Sequence, residues 1–266
     1  MAAWEWDIDM GILEGKNIFI TGVTLDTSIA FAAAKIAQQE GANIIVSNLG
    51  RGVSLTRRVV KKLDPIPEVI ELDVTNADHL ASLPAQLTQL GFDHVDGIVH
   101  SIAFANPKRA LGGAFLETQW DDVSLSLHTS VYSLKSLTMA LRPMMRAGSS
   151  VVGLTFDATV TWPSYDWMGV AKAGLESTSR YLARYLGPEG IRCNLVAAGP
   201  IDTVAKTAIP GGESFNDIWN ERAPLGWNPK DAMPVGRGIC MLLSDWTEAT
   251  TGDILYVDGG LHSTGA

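Results

Sequence analysis

Short apolar runs, most ending in glycine or a small polar residue, alternate with stretches of helical periodicity along this chain, and that alternation leaves few folds open. The first run is Asn17-Ile18-Phe19-Ile20-Thr21-Gly22, and an alanine-rich helical stretch, Ser28 to Gln39, follows and is punctuated by Gly41. The pattern then repeats. Runs are expected as strands at 43–47, 67–74, 96–101, 149–155, 191–197 and 253–258, and helices at 53–63, 79–90, 121–141, 165–186 and 231–243. Strands that are apolar along their whole length are buried on both faces, as in a parallel sheet. Strand–helix alternation at this spacing predicts βαβ units. The expectation is therefore an α/β chain: one Rossmann-like, doubly wound domain over 11–266, with a seven-stranded parallel sheet and helices on both faces. Residues 1–10, with Trp4, Trp6 and Met10, read as an additional N-terminal arm.

Composition narrows the partners. A net charge of −9 over 266 residues argues against a nucleic-acid surface and would repel acidic lipid. The cluster Arg57, Arg58, Lys61 and Lys62 reads as a solvated helix face. Cys193 and Cys240 sit in apolar contexts as small buried residues, and the five histidines are scattered, so no metal site is expected. The Trp- and acid-rich start does not resemble a secretory leader, and no apolar run reaches the roughly 18 residues that span a bilayer. A cytoplasmic protein with no membrane segment is expected.

In a doubly wound sheet, ligands bind beyond the carboxyl ends of the strands. Here those ends are the loop Gly22 to Ser28-Ile29, where Ser28 opens a helix suited to a pyrophosphate; Asp73-Val74; His100-Ser101-Ile102-Ala103-Phe104; Thr155-Phe156-Asp157; and Gly199-Pro200-Ile201-Asp202-Thr203. Only Gly22 of the usual G-x-G-x-x-G fingerprint is present. Asp73 is suited either to an adenine amino group or to capping the next helix. Gly199-Pro200 forces a turn, after which Ile201 and Thr203 are expected to face the site. The loop after the second strand, Ser47 to Arg51, lacks the carboxylate that holds a ribose diol and carries Arg51 instead. Residues 203–225, with Phe215 and Trp219, read as an apolar, irregular lid.

Tyr165 and Lys172 lie seven apart. On a helix this puts a phenol and an ammonium on one face, roughly 10 Å apart along the axis. The hydroxyl is placed to meet a reacting carbonyl, and the ammonium to hold a neighbouring sugar and to lower the phenol's pKa.

Taken together, these motifs resemble the short-chain dehydrogenase/reductase superfamily and, within it, the NADH-dependent enoyl-acyl-carrier-protein reductases (the FabI type), most of all their mycobacterial branch. The resemblance rests on Gly22-x5-Ser28-Ile29-Ala30, Leu72-Asp73-Val74, His100-Ser101-Ile102, Tyr165-x6-Lys172, Asn194 to Ile201, Arg222 to Trp227 and Thr251 to Gly260, and covers about 11–260. Ordinary short-chain dehydrogenases pair Tyr-x3-Lys with a serine about 13 residues upstream; positions 169 and 152 here are Gly and Val. The resemblance implies reduction of a trans-2-enoyl thioester, carried by acyl-carrier protein or coenzyme A. Hydride would go to C3, and Tyr165 would stabilise the enolate. Lys172 would bind the nicotinamide ribose. Gly22, Ser28 and Ile29 would flank the pyrophosphate, and Asp73 and Val74 the adenine. Ser101, Ile102, Ala103, Gly199, Pro200, Ile201 and Thr203 would complete the NADH site. Phe156 would lie beside the nicotinamide, with Trp162, Met168, Phe104 and Tyr165 toward the substrate. A homotetramer is implied. The lid is shorter than in the mycobacterial branch, which predicts a preference for acyl chains of ordinary length, and Ala103 replaces that branch's glycine. A carbonyl reductase of the same superfamily and a non-catalytic dinucleotide sensor are the rival readings.

Overall fold

β1 (Asn17–Thr21) turns Ile18 and Ile20 to one face of the sheet and Phe19 to the other, and all three are fully buried. A strand with no wet face has to lie mid-sheet, and β1 does. In the computed structural model, which describes residues 10–265, seven parallel strands run in the order β3-β2-β1-β4-β5-β6-β7. The others are β2 (Asn43–Asn48), β3 (Glu68–Glu71), β4 (Gly97–His100), β5 (Ser150–Thr155), β6 (Arg192–Ala198) and β7 (Ile254–Val257). The single-sheet α/β expectation is borne out. The expected arm lies outside the described residues except for Met10, which is exposed rather than docked.

Two apolar layers sandwich the sheet. On one face, α1 (Ile29–Gln39) packs against α9 (Met233–Leu243) and shares a core with Ile18, Ile20, Val99 and Val152. On the other, α3 (Ala77–Gln89), α5 (Ser133–Leu141) and α6 (Asp166–Leu186) pack over Phe19, Ile98 and Val151. The remaining helices are α2 (Arg51–Val59), α4 (Trp120–Leu127), α7 (Val204–Thr207) and α8 (Ser214–Arg222). Arg57, Arg58, Lys61 and Lys62 lie exposed on α2 and the turn after it, as expected, and Lys62 pairs with Asp26.

Two departures bear on the site. The helix expected over 121–141 is broken by a π turn at His128–Tyr132, which separates α4 from α5. The segment expected to be irregular folds into α7 and α8, and Phe215 and Trp219 of α8 are only 2% exposed. A helix that buries two large rings gains about 2 kcal/mol or more from each, which overrides a glycine-bearing sequence. Among the described residues, no helix is long and apolar enough to cross a membrane.

Candidate active site

The strand order reverses between β1 and β4, the switch point at which a doubly wound sheet opens a crevice. Backbone closes on backbone there. A Cβ on Gly22, whose φ is +79°, would sit 2.0 Å from the Ser101 carbonyl oxygen. Thr21 ties the same two loops: its Oγ1 donates to Val99 O (3.0 Å) and accepts from Ser101 N (3.1 Å). Only glycine fits, and the cradle it makes suits a ligand that lies flat against main chain.

Ser28 is the N-cap of α1, its Oγ accepting from Phe31 N (3.2 Å) and donating to Leu25 O (2.7 Å). Its hydroxyl is therefore committed to the cap. The uncapped N–H groups of the first turn, beginning at Ile29, are what remains for an anion. Asp73 is half-buried, and its Oδ1 accepts from Thr75 N (2.8 Å) and Thr75 Oγ1 (2.6 Å). It closes a local turn, while Asn76 caps α3. Val74 is buried in the core beside it. Ile102 is half-buried against the core, and Ala103 is exposed at the crevice rim. On the far wall, a Cβ on Gly199 would meet the Trp227 and Trp219 rings at 2.6 and 2.8 Å, and Pro200 O accepts from Trp227 Nε1 (2.7 Å).

The Ile201 side chain packs into the core with Val23 and Ala198 and is 4% exposed, which leaves its main chain as the part that can meet a ligand. Thr203 caps α7, its Oγ1 accepting from Lys206 N (3.3 Å). Phe104 departs from expectation. It is 44% exposed and stands apart from the rings around Tyr165, because its N–H and carbonyl are both bound by the Ser130 hydroxyl of the π turn (2.9 and 3.1 Å).

Those rings form the chemical end of the crevice. Phe156 is their hub, with ring centroids 5.1 Å from Trp162, 5.2 Å from Tyr165 and 5.5 Å from both Phe215 and Trp219. Met168 packs in the same cluster. Tyr165 enters it from a strained turn. Ser164 (φ +61°) and Asp166 (φ +40°) on either side are non-glycine residues in the left-handed region, a cost of about 1 kcal/mol or more each. The Asp166 carboxylate compensates by accepting from Gly113 N (2.6 Å) and Ala114 N (3.0 Å). Among the described residues the Tyr165 hydroxyl has no hydrogen-bond partner, so it is available to a ligand.

Lys172 is buried one face down, its Nζ donating to Leu154 O (2.8 Å) at the end of β5. Burial lowers its pKa to about 8, against the opposing pull of Glu176. The ammonium was expected to lower the phenol's pKa. Instead burial pushes Tyr165 well above its ordinary value, so the hydroxyl stays a neutral donor at all working pH values. His100 is fully buried behind Lys172; burial, then that ammonium, lower its pKa to about 3. Its Nε2 lies 2.7 Å from Ser133 Oγ, which itself donates to Thr129 O, so the imidazole is a neutral Nε2–H donor. Glu176, which no motif singled out, lies beneath Lys172; its spacing of four from the lysine is the one signal that points to it.

The family model described as Enoyl-(Acyl carrier protein) reductase matches residues 22–262. The chain belongs to this family. It is 44% identical to the enoyl-acyl-carrier-protein reductase (NADH) of Mycolicibacterium smegmatis, the alignment covering 94% of this chain and 97% of that one. The corresponding enzyme of Mycobacterium avium is also 44% identical, with the same coverage, and the FabI enzyme of Neisseria meningitidis is 40% identical over 94% of this chain and 96% of its own. The resemblance read from the motifs is thus borne out over almost the whole chain.

Proposed function

We infer that this protein reduces the trans-2 double bond of enoyl thioesters in fatty-acid synthesis, with NADH as cofactor. One observation carries the reading: Tyr165 is buried under a ring cluster with its hydroxyl unpartnered among the described residues, at the N-cap of the helix whose Lys172 ammonium is fixed at the end of β5. A dinucleotide fits the glycine-lined cradle at Gly22 and Gly199, where any side chain would strike main chain or an indole ring. Gly22, Ile29, Asp73, Val74, Ser101, Ile102, Ala103, Gly199, Pro200 and Thr203 are the residues suited to hold it, with Lys172 on the nicotinamide ribose. Bound NADH supplies the hydride that adds to C3 of the substrate.

This chain's own residues do the rest. Hydride addition at C3 shifts the double-bond electrons onto the thioester oxygen, and uptake of a proton at C2 then gives the saturated acyl thioester. Tyr165 donates a hydrogen bond to that oxygen, and because it needs no reorientation in a dry pocket it stabilises the developing enolate more than the ground state. Phe156, Trp162 and Met168 exclude water and hold the reacting carbons beside the ring of the cofactor. The acyl chain runs beneath α7 and α8, which act as the lid over 203–225. The substrate is carried by acyl-carrier protein or coenzyme A, and the free, buried Cys193 and Cys240 support a cytoplasmic setting.

A homotetramer completes the reading. Trp120, Leu125 and Tyr132 around α4, and Tyr181 and Tyr185 on α6, are exposed apolar or aromatic side chains on adjoining helices, an arrangement suited to burial against another subunit.

The test is oxidation of NADH at 340 nm with trans-2-dodecenoyl thioester, run beside NADPH. Turnover that prefers NADH is the expected result. Tight NADH binding without turnover of any enoyl or carbonyl substrate would replace this reading with a sensor.

A further inference from the structure

Lys172 is 7% exposed and so is Glu176, yet no ion pair joins them. They are stapled separately to consecutive residues of one strand. Lys172 Nζ donates to Leu154 O at 2.8 Å, and Thr155 Oγ1 donates to Glu176 Oε1 at 3.0 Å. Residues four apart on α6 are thus matched to neighbours at the end of β5, directly before the loop that carries Phe156.

A buried ammonium held by a single neutral carbonyl is costly unless another charge compensates it. His100, facing Lys172 from β4, cannot do so, since it is neutral or repulsive. Among the described residues, Glu176, four positions along the same helix, is the anionic group whose field opposes the desolvation of Lys172. Around Glu176 itself stand Asp157 from the loop after β5, Arg180 on α6 and Tyr256 on β7. Burial raises the Glu176 carboxyl, and the Thr155 hydroxyl is the largest of the contacts that hold it down.

We propose that Glu176 is a positioning residue that keeps Lys172 protonated and anchored to β5, so that the site binds its cofactor across the physiological pH range. This rests on the reading of Lys172 as the ligand of the nicotinamide ribose. Glu176 touches neither cofactor nor substrate and acts only through Lys172.

The experiment is NADH affinity, followed by fluorescence, from neutral to alkaline pH in the parent and in Glu176→Gln. Gln keeps the size and accepts from Thr155, but removes the charge. The alkaline loss of binding is expected to move down by about 1–2 pH units, a weakening of roughly 5- to 50-fold at the parent's midpoint, with little change at acidic pH. A uniform loss at every pH, or none, overturns the proposal, whereas failure of the parent to bind NADH overturns the underlying reading instead. Thermal melts in a Lys172→Met background give a readout free of cofactor. There Glu176→Gln should be neutral or stabilising, because the carboxylate no longer has a cation to balance. If Glu176→Gln does not fold alone but folds with Lys172→Met, the coupling stands. If it folds in neither, Glu176 is merely structural and the proposal fails.

Discussion

Replacing Tyr165 by Phe removes one hydroxyl from a pocket otherwise walled by rings and leaves its packing against Phe156 in place. Because the hydroxyl has no partner among the described residues, the substitution breaks no hydrogen bond there. The expected result is a loss in kcat of roughly 100- to 1,000-fold, with NADH affinity and melting temperature almost unchanged, checked by steady-state kinetics and calorimetry. Lys172 gives a pH-dependent prediction. Its folded-state pKa, about 8, lies below its ordinary value of 10.5, so between those values the unfolded chain binds more protons than the folded one, and stability conferred by this residue rises with pH. Measured against Lys172→Met, the parent should gain up to about 3 kcal/mol as pH passes from 8 to 10.5. Chemical denaturation of both proteins at the two ends of that window checks it; a difference that is flat or falling would contradict the burial of Lys172.

At the level of elements, α8 is the part that most changes the picture drawn from sequence. Its periodicity is interrupted by charged residues, and Pro210-Gly211-Gly212 just before it reads as loop. What makes it a helix is tertiary. Phe215 and Trp219 reach the ring cluster, and Trp219 Nε1 donates to Asp258 O (2.9 Å) after β7. Trp219→Ala should cost about 3–5 kcal/mol and loosen the roof over the acyl chain. With the short lid, parent activity is expected to be higher on dodecenoyl than on hexadecenoyl thioesters, and the variant should narrow that difference by raising KM for the shorter substrate. The π turn at His128–Tyr132 is equally hidden in a sequence that reads as continuous helix; it presents the Ser130 hydroxyl to the Phe104 loop. By contrast, the inner strands were legible because a parallel strand buried on both faces reads as an apolar run, and the edge strands β3 and β7 from their place in the strand–helix alternation. Tyr165 and Lys172 were legible as candidates from their spacing, although Tyr165 stands at the N-cap of α6 and not within it.

For the whole molecule, the exposed rings of α4 and α6 lead to a measurable outcome. Light scattering on the purified protein should give four times the protomer mass of 28.5 kDa. Changing Tyr181 and Tyr185 to Lys should dissociate it if those rings, 61% and 70% exposed in the protomer, are buried between subunits. The sequence by itself determined the layer architecture, the direction of every strand and the loops that carry the chemistry, because hydrophobic period and glycine placement act locally. Tertiary structure alone decided the electrostatic character of the site. Which groups are dry, that Tyr165 stays protonated, that burial lowers the Lys172 pKa and that the Ile201 side chain packs inward all follow from desolvation and packing between distant segments, which no local pattern of residues encodes.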